Sequence, residues 1–153
     1  MGEWSHAHFL SASGSIDRLL EQGNLPAAYA AAQQLLQRAL AAGEEAYLEA
    51  AYDIAVAYFR FGRMLKESGA AEEALSSLAE AQQRFQLLAD AGDTTAERMA
   101  SAAITESADC LRELGRYDEA AANHEEGIRR FEKLDDRRSA AVSKANLGTV
   151  RLW

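Results

Sequence analysis

Cysteine and histidine side chains are the groups in this sequence that could act as nucleophile, base or metal ligand. The chain has one cysteine, Cys110, and three histidines, His6, His8 and His124. A reactive cysteine needs a histidine or cationic neighbour and gains from a helix N-terminus. Cys110 lies toward the C-terminal end of a predicted helix, where a small buried side chain is the usual role. We therefore expect Cys110 and His124 to be packing residues, and a small enzyme or sensor built on them is the remaining alternative.

His6 and His8 could share a metal ion on one side of an extended segment. Zinc sites need three or four protein ligands, and no third ligand is nearby in the sequence. Neither a phosphate-binding glycine loop nor a zinc-protease helix motif is present. Pairs of glutamates at 44–45, 72–73 and 125–126 are typical of solvated helix faces and helix starts. The sequence thus predicts no catalytic residue, no metal and no cofactor.

The charge and the apolar pattern limit the classes of partner. The formal net charge is −8, from 24 acidic and 16 basic residues, whereas nucleic acids and anionic membranes require a basic surface. No apolar run approaches the roughly 18 residues needed to span a bilayer, and the first residues lack the layout of a secretory signal. A single cysteine excludes an intrachain disulfide. We therefore expect a cytoplasmic protein whose partner is another protein.

A glycine turn recurs three times at a fixed interval. Gly23, Gly69 and Gly115 follow one another every 46 residues, and glycine ends helices because it adopts the left-handed conformation without a Cβ penalty. A fixed period of this size is typical of helical repeat arrays, in which each unit buries its apolar face on its neighbours. Three further columns keep the same interval: Leu19, Leu65 and Leu111; Ala28, Ala74 and Ala120; Ala39, Phe85 and Phe131.

The composition predicts that all the repeated elements are helices. Alanine, the best helix former, fills about a fifth of the positions, and there are one proline and no alternating Val/Ile-rich runs. The class is therefore all-α, in a single domain. The first expected helix ends at Gly23. The other six span about 25–42, 44–68, 72–91, 96–114, 117–134 and 139–153, and Thr94 or Thr95 is the expected N-cap of the fifth helix. They group into units of about 9–43, 45–92, 95–135 and a partial 139–153.

These residues resemble the tetratricopeptide repeat family. The pairs at 61–62 (Phe-Gly) and 147–148 (Leu-Gly) look like the large-then-small pair of the family's first helix. Gly115 and Tyr117 look like its turn glycine and the following aromatic, and Ala120 looks like the first small residue of its second helix. The resemblance implies a right-handed superhelical array of antiparallel helix pairs. The period of 46 exceeds the family's usual 34 and is similar to the lengthened repeats of bacterial regulatory and signalling proteins.

The resemblance also implies a function, because the first helix of each pair in that family lines a concave face that binds peptides or partner helices. Asn146 resembles the groove asparagine that bonds a bound peptide's backbone, and the cations Arg60, Arg63 and Lys66 could attract an acidic segment. The implied function is a non-catalytic scaffold for protein–protein interaction, in signalling or assembly. The implied groove residues are Phe59, Arg60, Arg63, Lys66, Thr105, Glu106, Asp109, Arg112, Asn146 and Thr149.

The last predicted helix matches only the first half of a repeat and ends in Val150, Leu152 and Trp153. Terminal units of helical arrays need a polar outer face for solubility, and these apolar residues are unsuited to one. The sequence favours a chain that is part of a longer array. Two other interpretations stay open: another chain covers this end, or the last helix caps the array unaided. Homodimerisation through this C-terminal edge is therefore the alternative function.

Overall fold

The computed structural model of the protein describes residues 3–151, and this part of the chain is built of helices without strands. The predicted all-α class is confirmed. In chain order the described helices are α1 (His6–Glu21), α2 (Leu25–Ala42), α3 (Ala50–Glu67), α4 (Ala71–Asp90), α5 (Thr94–Glu113), α6 (Tyr117–Lys133) and α7 (Arg137–Arg151).

Each helix packs mainly on the helices next to it in sequence. In addition, α1 touches α3, and α3 touches α5. The alanine column lies in the interior, since Ala28, Ala74 and Ala120 are fully buried. A Cβ atom at Gly62 would lie 2.8 Å from Cγ of Leu78, so the backbone of α3 approaches α4 as closely as a glycine allows.

The repeated turns close with one hydrogen-bond pattern. At Gly23, Gly69 and Gly115 the φ angle is +72°, +83° and +76°, which is the left-handed region that favours glycine. The next N–H after each glycine then bonds the carbonyl of the repeated leucine, as in the Schellman motif. The leucine and glycine columns are therefore the two ends of one helix stop. The bonds are Asn24 to Leu19, Ala70 to Leu65 and Arg116 to Leu111, each 2.9 Å.

The turn between α6 and α7 uses an aspartate where the other turns use glycine. Asp135 has φ +57° and is the one non-glycine residue with positive φ in the described range. The backbone N–H of Asp136 bonds the carbonyl of Phe131 at 2.8 Å, so the closure is the same. An L-residue pays a steric cost in this conformation, which aspartate tolerates better than most.

The third helix starts later than the sequence predicts. The glutamates at 44–45 were expected to open it, but it begins at Ala50. The segment 44–49 instead forms turns, and two side-chain contacts hold it there. The hydroxyl of Tyr47 donates to Oδ2 of the buried Asp53 at 2.7 Å, and Oε1 of Glu44 pairs with Nη1 of Arg84 at 2.7 Å.

Aspartates cap the fifth and seventh helices. Oδ1 of Asp93 accepts from the N–H of Ala96 at 3.0 Å, so Asp93 is the N-cap of α5. The predicted caps, Thr94 and Thr95, lie inside the helix. Oδ1 of Asp136 accepts from the N–H of Ser139 at 3.1 Å in the same way, and α7 therefore begins two residues before the predicted start at Ser139.

Candidate functional site

The groove residues that the resemblance implies lie on α3, α5 and α7, and we call the surface shared by the odd-numbered helices the inner wall. The structure places these residues at three junctions of the wall: α1 with α3, α3 with α5, and α5 with α7. Each junction uses its side chains differently.

Arg60 links α3 to α1. Its Nη2 atom lies 2.6 Å from Oδ1 of Asp17 and 3.2 Å from the carbonyl oxygen of Ser13. Only a quarter of the Arg60 side chain is exposed. The charge of Arg60 is therefore already compensated by α1.

Phe59 and Arg63 form a stacked pair on α3. Phe59 is 8% exposed and belongs to the core, and the guanidinium carbon of Arg63 lies 5.9 Å from the centre of its ring. The Arg63 side chain is 58% exposed, and its Nε atom lies 3.8 Å from Oε1 of Glu106. Arg63 is thus the most accessible of the three cations in the implied groove.

Lys66 ties α3 to α5 through two carboxylates. Its Nζ atom binds Oε2 of Glu106 and lies 3.5 Å from Oδ2 of Asp109. Burial alone would lower the pKa of Lys66, but the hydrogen bond to Glu106 and the charges of both acids outweigh burial and raise it. Since all three side chains are largely covered, this ion pair closes the junction.

His124 lies behind the same junction, on α6. Its side chain is fully buried, and Nε2 lies 3.6 Å from Oδ1 of Asp109. Neither ring nitrogen has a hydrogen-bond partner among the described residues. Burial favours a raised pKa for Asp109, yet His124 and the charges of Lys66 and Arg112 lower it. Asp109 therefore connects three helices electrostatically.

The residues suited to nucleophilic or metal chemistry are held in the interior or paired. Cys110 is buried, and desolvation raises the pKa of its thiol to about 11, which disfavours the reactive thiolate at neutral pH. Nδ1 of His6 lies 2.7 Å from Oδ2 of Asp53. Within the described part of the chain, no three His, Cys, Asp or Glu side chains are grouped to hold a metal ion.

A pocket of about 250 Å³ opens between α5 and α7. It brings together four of the implied groove residues, and Asn146 faces the acids of α5 across it. Its walls combine carboxylates, hydroxyls and an amide with a few apolar groups. The lining residues are Ala102, Thr105, Glu106, Asp109, Phe131, Arg138, Ser139, Val142, Ser143 and Asn146.

The α7 side of this pocket was only partly foreseen. Ser139, Val142, Ser143 and Asn146 follow the three-four spacing of one helix face, so the sequence carried the signal. Of this face the resemblance implied Asn146 alone, so Ser139, Val142 and Ser143 are not among the implied groove residues. Arg138, which lies between the sixth and seventh predicted helices, is in the first turn of α7 and is exposed.

The remaining implied groove residues, Arg112 and Thr149, lie apart from this pocket. They line a separate hollow of about 340 Å³ together with Glu113 and Tyr117. The hydroxyl of Thr149 donates to the carbonyl of Ala145, one turn earlier on its own helix, at 3.2 Å.

The proposed self-association edge is described only at Val150. Val150 is 3% exposed and packs with Leu111 and Ala120, so its side chain is part of the chain's own core. Leu152 and Trp153 lie outside the described residues. Among the described side chains of α7, the large apolar one that is exposed is Val142, at 57%.

Comparison of the sequence with protein-family models and with curated proteins finds no match. Across the described helices, none combines the length and the apolar character that crossing a bilayer requires.

Proposed function

We propose that this protein is a non-catalytic interaction scaffold that binds a segment of a partner protein on a concave inner wall, in a right-handed array of the tetratricopeptide type. The observation that carries the proposal is the pocket between α5 and α7. Thr105, Glu106, Asp109 and Asn146 come from two helices that are about 40 residues apart in sequence, and they line one cavity.

The chemistry of the pocket suits a peptide backbone with one apolar side chain. The amide of Asn146 can donate and accept at once, which matches the alternating N–H and C=O groups of an extended segment. Val142 and Phe131 supply the apolar part of the wall. Because the wall is preformed, a docking segment loses little beyond its own conformational freedom.

The charges of the wall restrict the partner. Arg60 is paired with Asp17, and Lys66 is paired with Glu106 and Asp109, so neither is free to attract an acidic segment. The exposed cations near the groove are Arg63 and Arg138. We therefore expect recognition through hydrogen bonds and apolar contact, with charge in a secondary role.

Selection of peptides from a displayed random library against the immobilised protein tests this function. The selected peptides should bind the variant Asn146→Ala at least tenfold more weakly than the unmodified protein, in a fluorescence-anisotropy titration. A matched control is Gln33→Ala, which removes an exposed amide on α2. Peptides that bind all three proteins equally, or a library that yields no binder, would overturn the proposal.

A further inference from the structure

An arginine recurs once in every unit at the 46-residue interval. Arg38, Arg84 and Arg130 lie on α2, α4 and α6. In the second and third units this arginine reaches back to the preceding unit. Nη1 of Arg84 lies 2.7 Å from Oε1 of Glu44, in the segment after α2, and Nη1 of Arg130 donates to Oε1 of Gln86, on α4, at 2.7 Å.

The first arginine of the column has no such acceptor. Arg84 and Arg130 each also pair with a glutamate four residues earlier, at 3.1 Å and 3.0 Å. The residue four positions before Arg38 is Gln34. Among the described residues Arg38 has no ion pair and no hydrogen bond, and its one specific contact is with Trp4.

The contact with Trp4 places the Arg38 guanidinium at the same distance from an aromatic ring as the Arg84 guanidinium. The Arg84 guanidinium lies 5.1 Å from the ring centre of Tyr58, and the Arg38 guanidinium lies 5.1 Å from the ring centre of Trp4. The residue equivalent to Tyr58 in the first unit is Ala12, so Trp4, from the segment before α1, supplies the missing ring. Arg38 is therefore placed against a ring in the same way as Arg84.

Arg38 and Trp4 border a groove of about 710 Å³ between α1 and α2. Its apolar part consists of Ala12, Ala31 and Leu35, and glutamine amides line its sides. On α3 the residues equivalent to Ala12 and Ser15 are Tyr58 and Phe61, which pack against the cluster around α1 and α2. Small side chains at these positions leave the first unit's groove open.

The groove lining carries a cation, Arg38, in an otherwise acidic protein. None of its lining residues is a carboxylate, although the whole chain carries a net charge of −8. A second guanidinium is close, because Nη2 of Arg18 donates to Oγ of Ser15 in the groove wall at 3.0 Å. An anionic group is therefore the complementary guest.

From this comparison of equivalent positions we infer that the groove binds a segment of a partner protein that presents a glutamate or aspartate to Arg38 and an apolar side chain to Ala12, Ala31 and Leu35. The guest is a protein segment because the equivalent arginines are held by side chains of protein segments at the ends or faces of helices. This site is separate from the inner wall and does not depend on the function proposed for it.

A peptide that copies residues 33–48 of this chain is the probe, because it contains the group that Arg84 binds in the second unit. The matched peptide carries Glu44→Gln. The protein variant Trp153→Phe leaves Trp4 as the single tryptophan, and its emission reports on the groove. We expect saturable binding of the first peptide and at least tenfold weaker binding of the second.

The variant Arg38→Gln is made in the same Trp153→Phe background. It should bind the two peptides with equal affinity. That affinity should be at least tenfold weaker than the affinity of the protein with Arg38 for the peptide that carries Glu44. Arg129→Gln is the control, since it removes an arginine on α6 that is 66% exposed, and it should change nothing. Equal affinity of the intact groove for both peptides would overturn the inference, as would an unchanged Trp4 emission at millimolar peptide.

Two further results would also overturn it. Free glutamate that matches the peptide in affinity would make the groove a small-anion site, and light scattering that shows dimers dispersed by Arg38→Gln would make the guest a second copy. Asn146→Ala should leave this titration unchanged, so a failure here is distinguishable from a failure of the inner-wall proposal.

Discussion

Two neighbouring junctions of the inner wall use the same carboxylates to opposite effect. Toward α3, Glu106 and Asp109 hold Lys66, and the junction is closed by an ion pair. Toward α7, the same two residues line an open pocket opposite Asn146. The difference lies in the facing helix. Lys66 of α3 reaches both acids, whereas α7 lines the pocket with serines, an amide and Arg138, and among the described residues Arg138 forms no ion pair with them.

One face of α5 therefore takes part in a closed junction on one side and lines an open pocket on the other. Lys66 and His124 flank Asp109 from two sides, so contacts within the chain position the α5 face of the pocket. Preorganised polar groups of this kind reduce the ordering cost of binding. A substitution at either junction should therefore have a measurable effect on the other junction, because the two share Glu106 and Asp109.

The largest expected effect is at Gly127, which lies against Thr105 on the pocket side of α5. A Cβ atom at position 127 would overlap Cγ2 of Thr105, and so deep an overlap belongs at the upper end of the roughly 1–3 kcal/mol that overpacking costs. Since the better helix propensity of alanine offsets up to about 1 kcal/mol, we expect Gly127→Ala to lower the free energy of unfolding by about 2 kcal/mol in urea denaturation. Adding Thr105→Ser removes the overlapping methyl and should restore most of the loss.

Gly148→Ala is the matched control for this change. A Cβ atom there would meet no described atom within 4 Å, so helix propensity alone predicts a gain of up to about 1 kcal/mol. A Gly127→Ala protein as stable as the unmodified one would contradict the close approach of α5 and α6.

The next effect is the loss of the closed junction. Lys66→Met keeps an apolar stem but removes the cation that lies closest to two largely covered carboxylates. Glu106 then keeps only the longer contact with Arg63, and Asp109 the one with His124, so we expect a loss of about 2 kcal/mol of stability. Thermal and urea unfolding would measure it. Lys144→Met removes a lysine that is 58% exposed and lies 3.6 Å from Glu132; this control should change stability by less than about 0.5 kcal/mol.

A smaller effect should appear in acid. The pKa of Asp109 is lower in the folded protein than its ordinary 3.8, so its stabilising contribution is complete above that value. The contribution is lost as the pH falls through the lowered pKa, because the folded state must then take up a proton. Unfolding free energies measured from pH 5 to pH 2 should fall less steeply for Asp109→Asn, and equal slopes would rule out this role.

The smallest expected effect is at the turn that leads to α7. Replacing Asp135, at φ +57°, by glycine removes the steric cost of the left-handed conformation, and we expect a gain of roughly 0.5–1 kcal/mol. Gly115→Ala makes the reverse change, because it places a side chain on a left-handed residue at φ +76°, where a Cβ atom would meet no described atom within 4 Å. This substitution should lower stability by about 1 kcal/mol. Urea unfolding of the two variants measures both changes in stability. A loss of stability in Asp135→Gly would contradict the steric cost at Asp135.

The features that could be predicted from the sequence depend on residues that lie close together in the chain. The columns at Leu65 and Gly69 are the acceptor and the left-handed residue of one helix stop, so their recurrence predicted the turns directly. The late start of α3 could not be read in the same way. It is accompanied by the hydrogen bond from Tyr47 to Asp53, a carboxylate that also binds His6 of α1, and no periodic pattern in the sequence indicates these contacts.

The contacts between helices of the inner wall could not be predicted from local sequence patterns either. Helical spacing correctly placed Lys66 and Glu106 on first helices of successive pairs, but no local pattern shows that two residues 40 positions apart form an ion pair. The column that contains Arg38 and Arg84 was visible in the sequence as a repeat. Its meaning became clear only when the structure showed which acceptors the later members bind.

The pattern in which each helix packs mainly on its sequence neighbours has a mechanical consequence. Few distant segments must find one another, so folding should be quick, and among the described helices no pair from the first and the last hairpin is in substantial contact. Stretched between its two termini, such a chain would lengthen hairpin by hairpin under a modest, nearly constant load, and on release it would recoil.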